Sequence, residues 1–325
     1  MFTGLDWVCS VDTRHSRHFL THTTSSPPGW DKIQPMRPVF DWNIGSRIIQ
    51  LGKRTLIMGV VNVTPDSFSD GGKFLDPDRA AEQALQLIQD GADIIDIGGE
   101  STRPGAKTGD SGAVPEKVEL ERVIPVITLL KHKQPDVLIS VDTYKASVAR
   151  AGIAAGAEIV NDVSGFRWDP KMRQTLAELR CGSVLMHMRG RPDEWRTLPR
   201  ASDIVTLTKR ELRDWLDAAL MAGMKRERIV LDPGFGFGKN FEENYPLLKR
   251  FEEFHQLRCP MLVGISRKSF IGRALTRHGQ DAPVENRLLG TLAAETVAIL
   301  KGAHIIRTHE VRATADIVRI ADLAS

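Results

Sequence analysis

The sequence has little cysteine, no long apolar run and almost no net charge. Its 325 residues include three scattered cysteines, Cys9, Cys181 and Cys259. This number and spacing indicate neither a disulfide framework nor a zinc site, and predict free thiols in a reducing cytosol. No apolar stretch approaches the roughly 20 residues of a membrane helix. The 44 basic and 41 acidic residues nearly cancel, which gives no general electrostatic attraction to nucleic acid or membrane.

Two catalytic signatures are also missing. The segment GFGFG (234–238) does not satisfy the GxGxxG pattern of dinucleotide-binding folds. The sequence contains no GxSxG elbow and no cysteine–histidine signature, so a nucleophilic serine or cysteine is not predicted.

From residue 55 onward, short apolar runs rich in Val and Ile alternate with polar loops and helical patterns. Such near-continuous apolar strands are typical of a parallel sheet covered by helices. The predicted strands are 56–62, 93–99, 138–143, 158–162, 183–188, 228–234, 261–266 and 304–310, and the clearest helices are 76–91, 115–131, 146–156, 203–223 and 286–302.

Eight strand-helix units in about 270 residues predict an α/β protein, a single-domain (β/α)8 TIM barrel over residues 51–325. An open doubly wound sheet is the alternative, and the missing dinucleotide fingerprint speaks against it. Residues 1–50 lack clear periodicity, so we expect an irregular, partly disordered N-terminal extension.

Polar residues lie at nearly every predicted strand end, where a barrel of this kind builds its active site. Any single one of these residues can have a purely structural role, because Asp often caps the helix after a strand. The complete set favours a functional site, since buried polar groups cost stability unless they are paired. Carboxylates and an amide suit a flat nitrogen heterocycle, and Arg with His suits a phosphate. A metal held by the carboxylates stays open as an alternative. The set is Asn62, Asp96, Asp142, Asn161, His187, Asp232, Ser266, Lys268, Arg307 and His309.

The stretch VVNVTPDSFSDGG (60–72) ends a predicted strand with a long polar loop that carries an aromatic residue. A loop that only turned the chain would not need Phe68. We therefore expect a mobile loop that covers substrate, with Gly71 and Gly72 permitting the motion. A solvated loop with Phe68 packed on the surface is the alternative.

Eight long motifs occur in an order that resembles the dihydropteroate synthase family across residues 56–320. They are GVVNVTPDSFSDGG (59–72), DIGGESTRPGA (96–106), SVDTYK (140–145), IVNDVSG (159–165), LMHMRG (185–190), LDPGFGFGK (231–239), GISRKSFIG (264–272) and HIIRTHEV (304–311). The resemblance implies a folate-pathway enzyme that joins 6-hydroxymethyl-7,8-dihydropterin diphosphate to 4-aminobenzoate. Diphosphate would be released with the help of Mg²⁺, the implied cofactor.

The resemblance also implies roles for individual residues. Lys268, Arg307 and Asp142 correspond to catalytic positions, and Asn62 to the position nearest the metal. The pterin-binding positions are Asp142, Asn161, Met186, Asp232, Phe237, Gly264, Lys268 and Arg307; the diphosphate positions are Asn62, Thr102, Arg307 and His309; the aminobenzoate and mobile-loop positions are Phe68, Asp70, Thr102, Arg103, Pro104 and Ser269.

Two rival functions share parts of this pattern. A methyltetrahydrofolate-binding methyltransferase barrel would not need the TPDSFSDGG loop or the SRKS segment. A non-catalytic pterin-binding paralogue would be expected to lose Lys268, Arg307 or Asn62, and this chain has all three. The resemblance further implies a cytoplasmic homodimer, joined through the last helices. Residues 290–302 offer an apolar face for this contact, although a helix that faces the core has the same pattern. The resemblance also implies a target of sulfonamide inhibitors.

Overall fold

Strands and helices alternate along the chain, as predicted. The computed structural model describes residues 37–64, 76–100 and 113–324. Its strands are β1 (Phe40–Asn43), β2 (Ile48–Leu51), β3 (Leu56–Asn62), β4 (Ile94–Gly98), β5 (Leu138–Asp142), β6 (Ile159–Asp162), β7 (Gly182–Met186), β8 (Ile229–Asp232), β9 (Leu262–Val263) and β10 (Ile305–Thr308).

Helices follow most of these strands and cover the outside of the sheet. They are α1 (Pro77–Gln89), α2 (Glu116–Lys133), α3 (Ala146–Ala154), α4 (Met172–Leu179), α5 (Ile204–Met221), α6 (Asn244–Lys249), α7 (Ser269–Ala274), α8 (Leu288–Leu300) and α9 (Val311–Leu323). Aspartate side chains cap the N-termini of two helices. Asp76 accepts hydrogen bonds from the backbone N–H groups of Asp78 and Arg79 at the start of α1, and Asp203 caps α5 in the same way.

The sheet from β3 to β10 is a parallel barrel. Its strands pair in the order β8-β7-β6-β5-β4-β3-β10-β9. A parallel bridge between Leu231 and Met261 joins β8 to β9 and completes the circle. The (β/α)8 prediction is therefore confirmed, and all eight predicted strands are present. The seventh is shorter than expected, because the chain leaves the sheet at Gly264 to form the turn that carries Lys268.

The amino-terminal end of the barrel is closed by a hairpin. Strands β1 and β2 pair antiparallel, and Trp42 and Leu51 pack on the first residues of the barrel strands in one apolar cluster. The Trp42 side chain is 1% exposed, and its Nε1–H donates to the carbonyl of Arg228 at 3.0 Å. Residues 40–50, predicted to be irregular, instead form an ordered closure of the barrel, and residues 1–36 of the predicted extension lie outside the described residues. The domain boundary at residue 50 stays a prediction.

Two further predictions concern the cysteines and the absence of a membrane helix. Cys181 and Cys259 are buried free thiols, as predicted; Cys9 lies outside the described part. No helix in the described ranges is long and apolar enough to cross a membrane.

Candidate active site

A cleft of about 360 Å³ opens at the carboxyl ends of the barrel strands. Nine of the predicted site residues line it: Asn62, Asp142, Phe237, Gly264, Ser266, Lys268, Ser269, Arg307 and His309. Asn161, Met186 and Asp232 end neighbouring strands and are buried. The remaining predictions, Phe68, Asp70, Thr102, Arg103 and Pro104, fall outside the described residues.

Arg307 ties three strands together at the cleft. Its Nε donates to Asp96 Oδ2 and its Nη2 to Asp142 Oδ2, both at 2.7 Å. The amide of Asn161 donates to the same Asp96 oxygen at 3.0 Å. Arg307, Asp142 and Asn161 come from β10, β5 and β6. Strands β3 and β4 separate β10 from β5 in the sheet, so the closed barrel, and not closeness in sequence, brings Arg307 to these side chains.

Asp96 is the buried centre of this group. Its side chain is 0% exposed, and its Oδ1 has no hydrogen-bond partner within the described part of the chain. A buried carboxylate needs an opposite charge, which Arg307 supplies. Burial and the nearby Asp96 charge raise the pKa of Asp142, while Arg307 opposes that shift.

Lys268 lines the cleft, and the buried Asp232 lies at the end of β8. The Lys268 ammonium lies 3.8 Å from the centre of the Phe237 ring, a cation–π distance. Burial, reinforced by Arg307, lowers the pKa of Lys268 to about 7. Burial also raises the pKa of Asp232 to about 6, although its Oδ1 accepts the backbone N–H of Gly234 at 2.7 Å. Both groups can therefore change charge near neutral pH.

Lys268 is aimed by a strained turn. Arg267, just before it, has a backbone φ of +58°, a conformation that is costly for a residue with a side chain. Three contacts hold this turn: Thr291 Oγ1 accepts the Arg267 N–H, Arg287 donates to the Arg267 carbonyl at 2.9 Å, and Glu310 accepts from the Arg267 guanidinium at 2.6 Å. Ser269 then begins α7.

His309 and Ser266 form a polar corner next to Asn62. The backbone N–H of His309 donates to Ser266 Oγ at 3.2 Å, and His309 Nδ1 lies 3.2 Å from the same oxygen. If the serine hydroxyl donates to Nδ1, the imidazole keeps its proton on Nε2 as a donor for an anion.

Sequence reasoning missed several residues of the cleft and misplaced one. Glu100, Trp195, Val284 and Arg287 also line it. Glu100 stands in the recognisable GGEST segment and bonds Tyr144 and Lys145, whereas Trp195 lies in a loop with no signal. His187, a strand-end candidate, does not line the cleft. Its buried ring stacks on Trp215, with ring centroids 5.0 Å apart.

Comparison with known proteins gives the class of this barrel. Residues 58–309 match the family model described as "Pterin binding enzyme". A dihydropteroate synthase from Synechocystis sp. is 44% identical over 279 residues, covering 86% of this chain and 93% of that protein. The structure of Xanthomonas albilineans dihydropteroate synthase with 4-aminobenzoic acid shares 43% identity and a TM-score of 0.77, covering 87% of this chain and 97% of that one. The structure of the Yersinia pestis dihydropteroate synthase in a sulfonamide drug complex shares 39% identity and a TM-score of 0.76, covering 85% of this chain and 96% of that one.

The fold, the cleft and the family match thus define a pterin-binding barrel enzyme. Within that class, the chain belongs to the dihydropteroate synthase family. It is a transferase of folate biosynthesis that makes 7,8-dihydropteroate.

Proposed function

We propose that the cleft binds the ring of 6-hydroxymethyl-7,8-dihydropterin diphosphate through Asp142, Asn161, Asp232 and Lys268. The observation that carries this assignment is the convergence of Asp142, Lys268 and Arg307 in one cleft, with Asp232 buried beside Gly264. A Cβ at Gly264 would lie 4.0 Å from Asp232 Oδ2, so the glycine leaves room for a ring next to that carboxylate. Met186 and Phe237 supply apolar surface.

The bound ring would change the partners of Arg307. Its guanidinium now bonds Asp142, a carboxylate proposed to meet the pterin. When N–H groups of the pterin donate to Asp142, the Arg307 N–H group that now donates to Asp142 can donate to the diphosphate instead. His309 and Asn62 line the same cleft and add polar groups for that anion.

Mg²⁺ fits this end of the cleft as a metal shared with substrate. Asn62 offers an amide oxygen, and Mg²⁺ prefers oxygen donors and usually keeps phosphate oxygens and waters as its other ligands. Among the described residues, no group of three His, Cys, Asp or Glu side chains could hold a metal ion alone. Mg²⁺ would offset charge on the departing diphosphate.

The reaction needs no protein nucleophile. The bond between the pterin methylene carbon and diphosphate oxygen breaks, and diphosphate leaves with the electron pair. The lone pair of the 4-aminobenzoate nitrogen forms the new C–N bond, and that nitrogen loses one proton. Arg307 and His309 stabilise the charge on the leaving group, while the carboxylates Asp142 and Asp232 stabilise positive charge on the pterin.

The second substrate would enter beside Lys268. Ser269 lines the cleft at the first residue of α7, and we assign it to the 4-aminobenzoate carboxylate. Phe68, Asp70, Thr102, Arg103 and Pro104 keep their predicted roles in the loops that cover this substrate. A sulfonamide would compete at the same position, and absence of competition with 4-aminobenzoate in a binding assay would contradict the assignment.

Release of diphosphate from the purified protein tests the proposal. With Mg²⁺ and both substrates we expect turnover in the wild type and its near-complete loss in Lys268→Ala. Pterin binding without turnover would point to a non-catalytic paralogue, and methyltetrahydrofolate binding would point to the methyltransferase barrel. Retained activity in Lys268→Ala would show that Lys268 is not required for the reaction.

The homodimer and the cytosolic location stay predictions. Helix α8 buries Thr291, Glu295 and Ala298 against the barrel, but leaves Leu289 79% exposed. Ile320 on α9 is also exposed. Exposed apolar residues on two packed helices favour a protein interface. Sedimentation should give a dimer for the wild type and a monomer for Leu289→Glu; a wild-type monomer would contradict this prediction.

A further inference from the structure

A buried lysine lies behind the cleft with every proton of its ammonium group paired. Lys239 is 8% exposed. Its Nζ donates to the Gly234 carbonyl at 2.8 Å, to His187 Nδ1 at 3.0 Å and to the Phe237 carbonyl at 3.2 Å. A longer contact runs to the His187 carbonyl at 3.5 Å. Burial lowers the pKa of Lys239 to about 7, but the three shorter contacts match the three donors of a charged ammonium, whereas a neutral amine would have only two.

His187 is fixed as an acceptor for this lysine. Its Nε2 lies 2.9 Å from Glu211 Oε2. A neutral ring that donates from Nε2 to the carboxylate must accept at Nδ1, where Lys239 donates. Burial, followed by the charge of Lys239, lowers the pKa of His187, which keeps the ring neutral. The stacked Trp215 holds the orientation of the ring.

The two carbonyls that Lys239 binds belong to the loop 233–238, which leaves β8 and returns over the end of β7. The backbone of this loop packs directly against residues 187–189, which follow β7. A Cβ at Gly234 would lie 1.8 Å from the His187 carbonyl oxygen, and one at Gly238 would lie 2.0 Å from the Arg189 carbonyl oxygen. Both glycines have positive φ, +67° and +64°. No side chain fits at these two glycines, so groups outside them hold the turns. The Lys239 ammonium bonds the carbonyls of Gly234 and Phe237, while Asn244 accepts the Gly236 N–H at 2.7 Å and Phe235 packs in the core.

The same loop determines the positions of two residues that are proposed to contact the pterin ring, Asp232 and Phe237. The N–H of Gly234 donates to Asp232 Oδ1 at 2.7 Å, so the position of Gly234 orients that carboxylate. Phe237 carries the ring beneath the Lys268 ammonium. Lys239 bonds the carbonyls of both loop residues, yet does not itself line the cleft.

We propose that Lys239, oriented by His187 and Glu211, is a positioning residue that clamps loop 233–238 and so holds Asp232 and Phe237 in the geometry that binds the pterin ring. This inference rests on the proposed function, because Asp232 and Phe237 are assigned to the ring there. Lys239 acts through these two residues, since it does not reach the substrate.

The test compares Lys239→Met with Lys239→Arg and with Lys209→Met as the matched control. Met keeps most of the length of the side chain but removes the charge. Within the described ranges Lys209 bonds Glu253 and Gln256, away from loop 233–238, so its loss should leave that loop intact. The measurements are KM for each substrate, kcat, direct binding of 7,8-dihydropteroate and the unfolding midpoint.

For Lys239→Met we expect KM for the pterin diphosphate to rise roughly tenfold, because charged hydrogen bonds that fix the loop are lost. KM for 4-aminobenzoate should change by less than about twofold, since Ser269 lies on a different segment. Lys239→Arg should recover part of the loss in pterin KM, and Lys209→Met should match the wild type. A lower unfolding midpoint with unchanged pterin KM would mean a purely structural lysine and overturn the proposal, as would an equal rise in both KM values.

His187→Gln keeps the inference testable if Lys239→Met does not fold. Glutamine cannot both accept from Lys239 and donate to Glu211 with the geometry of the imidazole ring, so pterin KM should rise, though by less than in Lys239→Met. Unchanged pterin KM in His187→Gln would remove His187 from the clamp. Wild-type turnover separates these outcomes from a failure of the proposed function, which would abolish turnover in every protein tested.

Discussion

Each end of the barrel holds an arginine bonded to a carboxylate, and the two arginines have different surroundings. The Arg37 side chain is 6% exposed and that of Arg307 is 22% exposed. At the amino end, Arg37 donates to Thr55, to the Ala303 carbonyl and to Asp322 at 2.7–2.9 Å. At the carboxyl end, Arg307 meets two carboxylates, Asp96 and Asp142, and one oxygen of Asp96 has no partner within the described residues.

The surroundings of the two arginines extend this difference. The hairpin around Arg37 packs Trp42, Ile44 and Leu51 into an apolar cluster, a packing whose main effect is stability. Around Arg307, burial shifts the pKa of Lys268 and of Asp232 toward neutrality, which is typical of a site that binds or reacts. One end of the barrel thus holds the fold closed, and the other keeps incompletely matched charges available to a ligand.

The largest effect should come from removing the closure. Trp42→Ala deletes a side chain that is almost fully buried and its hydrogen bond to Arg228, and we expect unfolding free energy to fall by about 3–5 kcal/mol. Chemical denaturation measures this value. Activity per folded molecule should stay near that of the wild type, because Trp42 lies at the opposite end from the cleft. A large loss of kcat in folded Trp42→Ala would break the contrast between the ends.

Next in size is the loss of the cleft arginine. Arg307→Ala should lower diphosphate release about 10²- to 10³-fold, since it removes a charge that stabilises the leaving group. The substitution also leaves Asp96 and Asp142 without their cation, so Asp142 should take up a proton more readily. Stopped assays of diphosphate measure the rate. Arg37→Ala is the matched control at the other end: it should destabilise the protein without the loss of rate per folded molecule.

A pH profile sharpens the same comparison. The pKa of Asp232 is raised from 3.8 to about 6, so its carboxylate is present above that pH and is lost as pH falls through it. The pKa of Lys268 is lowered from 10.5 to about 7, so its cation is lost as pH rises. We expect kcat/KM for the pterin diphosphate to decline on both sides of pH about 6–7.

Asp232→Asn is the control for the acid limb. Its activity will be low, but its profile should no longer fall below pH about 6. If the acid limb survives in this variant, the titrating group is not Asp232 but Asp142, whose pKa burial also raises to about 7, or a group of the substrate.

The smallest effect concerns a cleft residue without a sequence signal. Trp195 packs edge-on against Phe237, with ring centroids 5.7 Å apart. Losing this aromatic pair in Trp195→Ala should cost about 0.5–1.5 kcal/mol of ligand binding, a two- to tenfold rise in pterin KM. Trp195→Phe should recover most of it. Equal KM values for wild type and alanine variant would show that Trp195 borders the cleft without shaping the ring pocket.

Some features were accessible from the sequence because they depend on local patterns. Apolar runs such as 56–62 and 138–143 predict buried strands wherever they stand, and the periodic segments 76–91 and 203–223 carry their own helix caps at Asp76 and Asp203. The extended motifs identified most of the cleft residues by type and order. Asp96 belongs to the predicted strand-end set but receives no individual role from the sequence, because a lone Asp after an apolar run also caps helices.

The rest depended on contacts between distant segments. The hairpin at residues 40–51 has no periodicity that distinguishes it from irregular chain, since its four-residue strands are stabilised by the barrel they close. Trp195 enters the cleft only because a long loop after β7 folds back toward Phe237.

The sequence by itself determined the repeated strand-helix order, the barrel class and the chemical types gathered at the strand ends, because each follows from local apolar periodicity and from residues at fixed places within motifs. Only the tertiary structure decided that Arg307 bridges Asp96 and Asp142, 211 and 165 residues away, and that Lys239 binds His187 behind the cleft. Those pairings, and the pKa shifts at Asp232 and Lys268, depend on distance and burial, which closure of the barrel creates and no local pattern encodes.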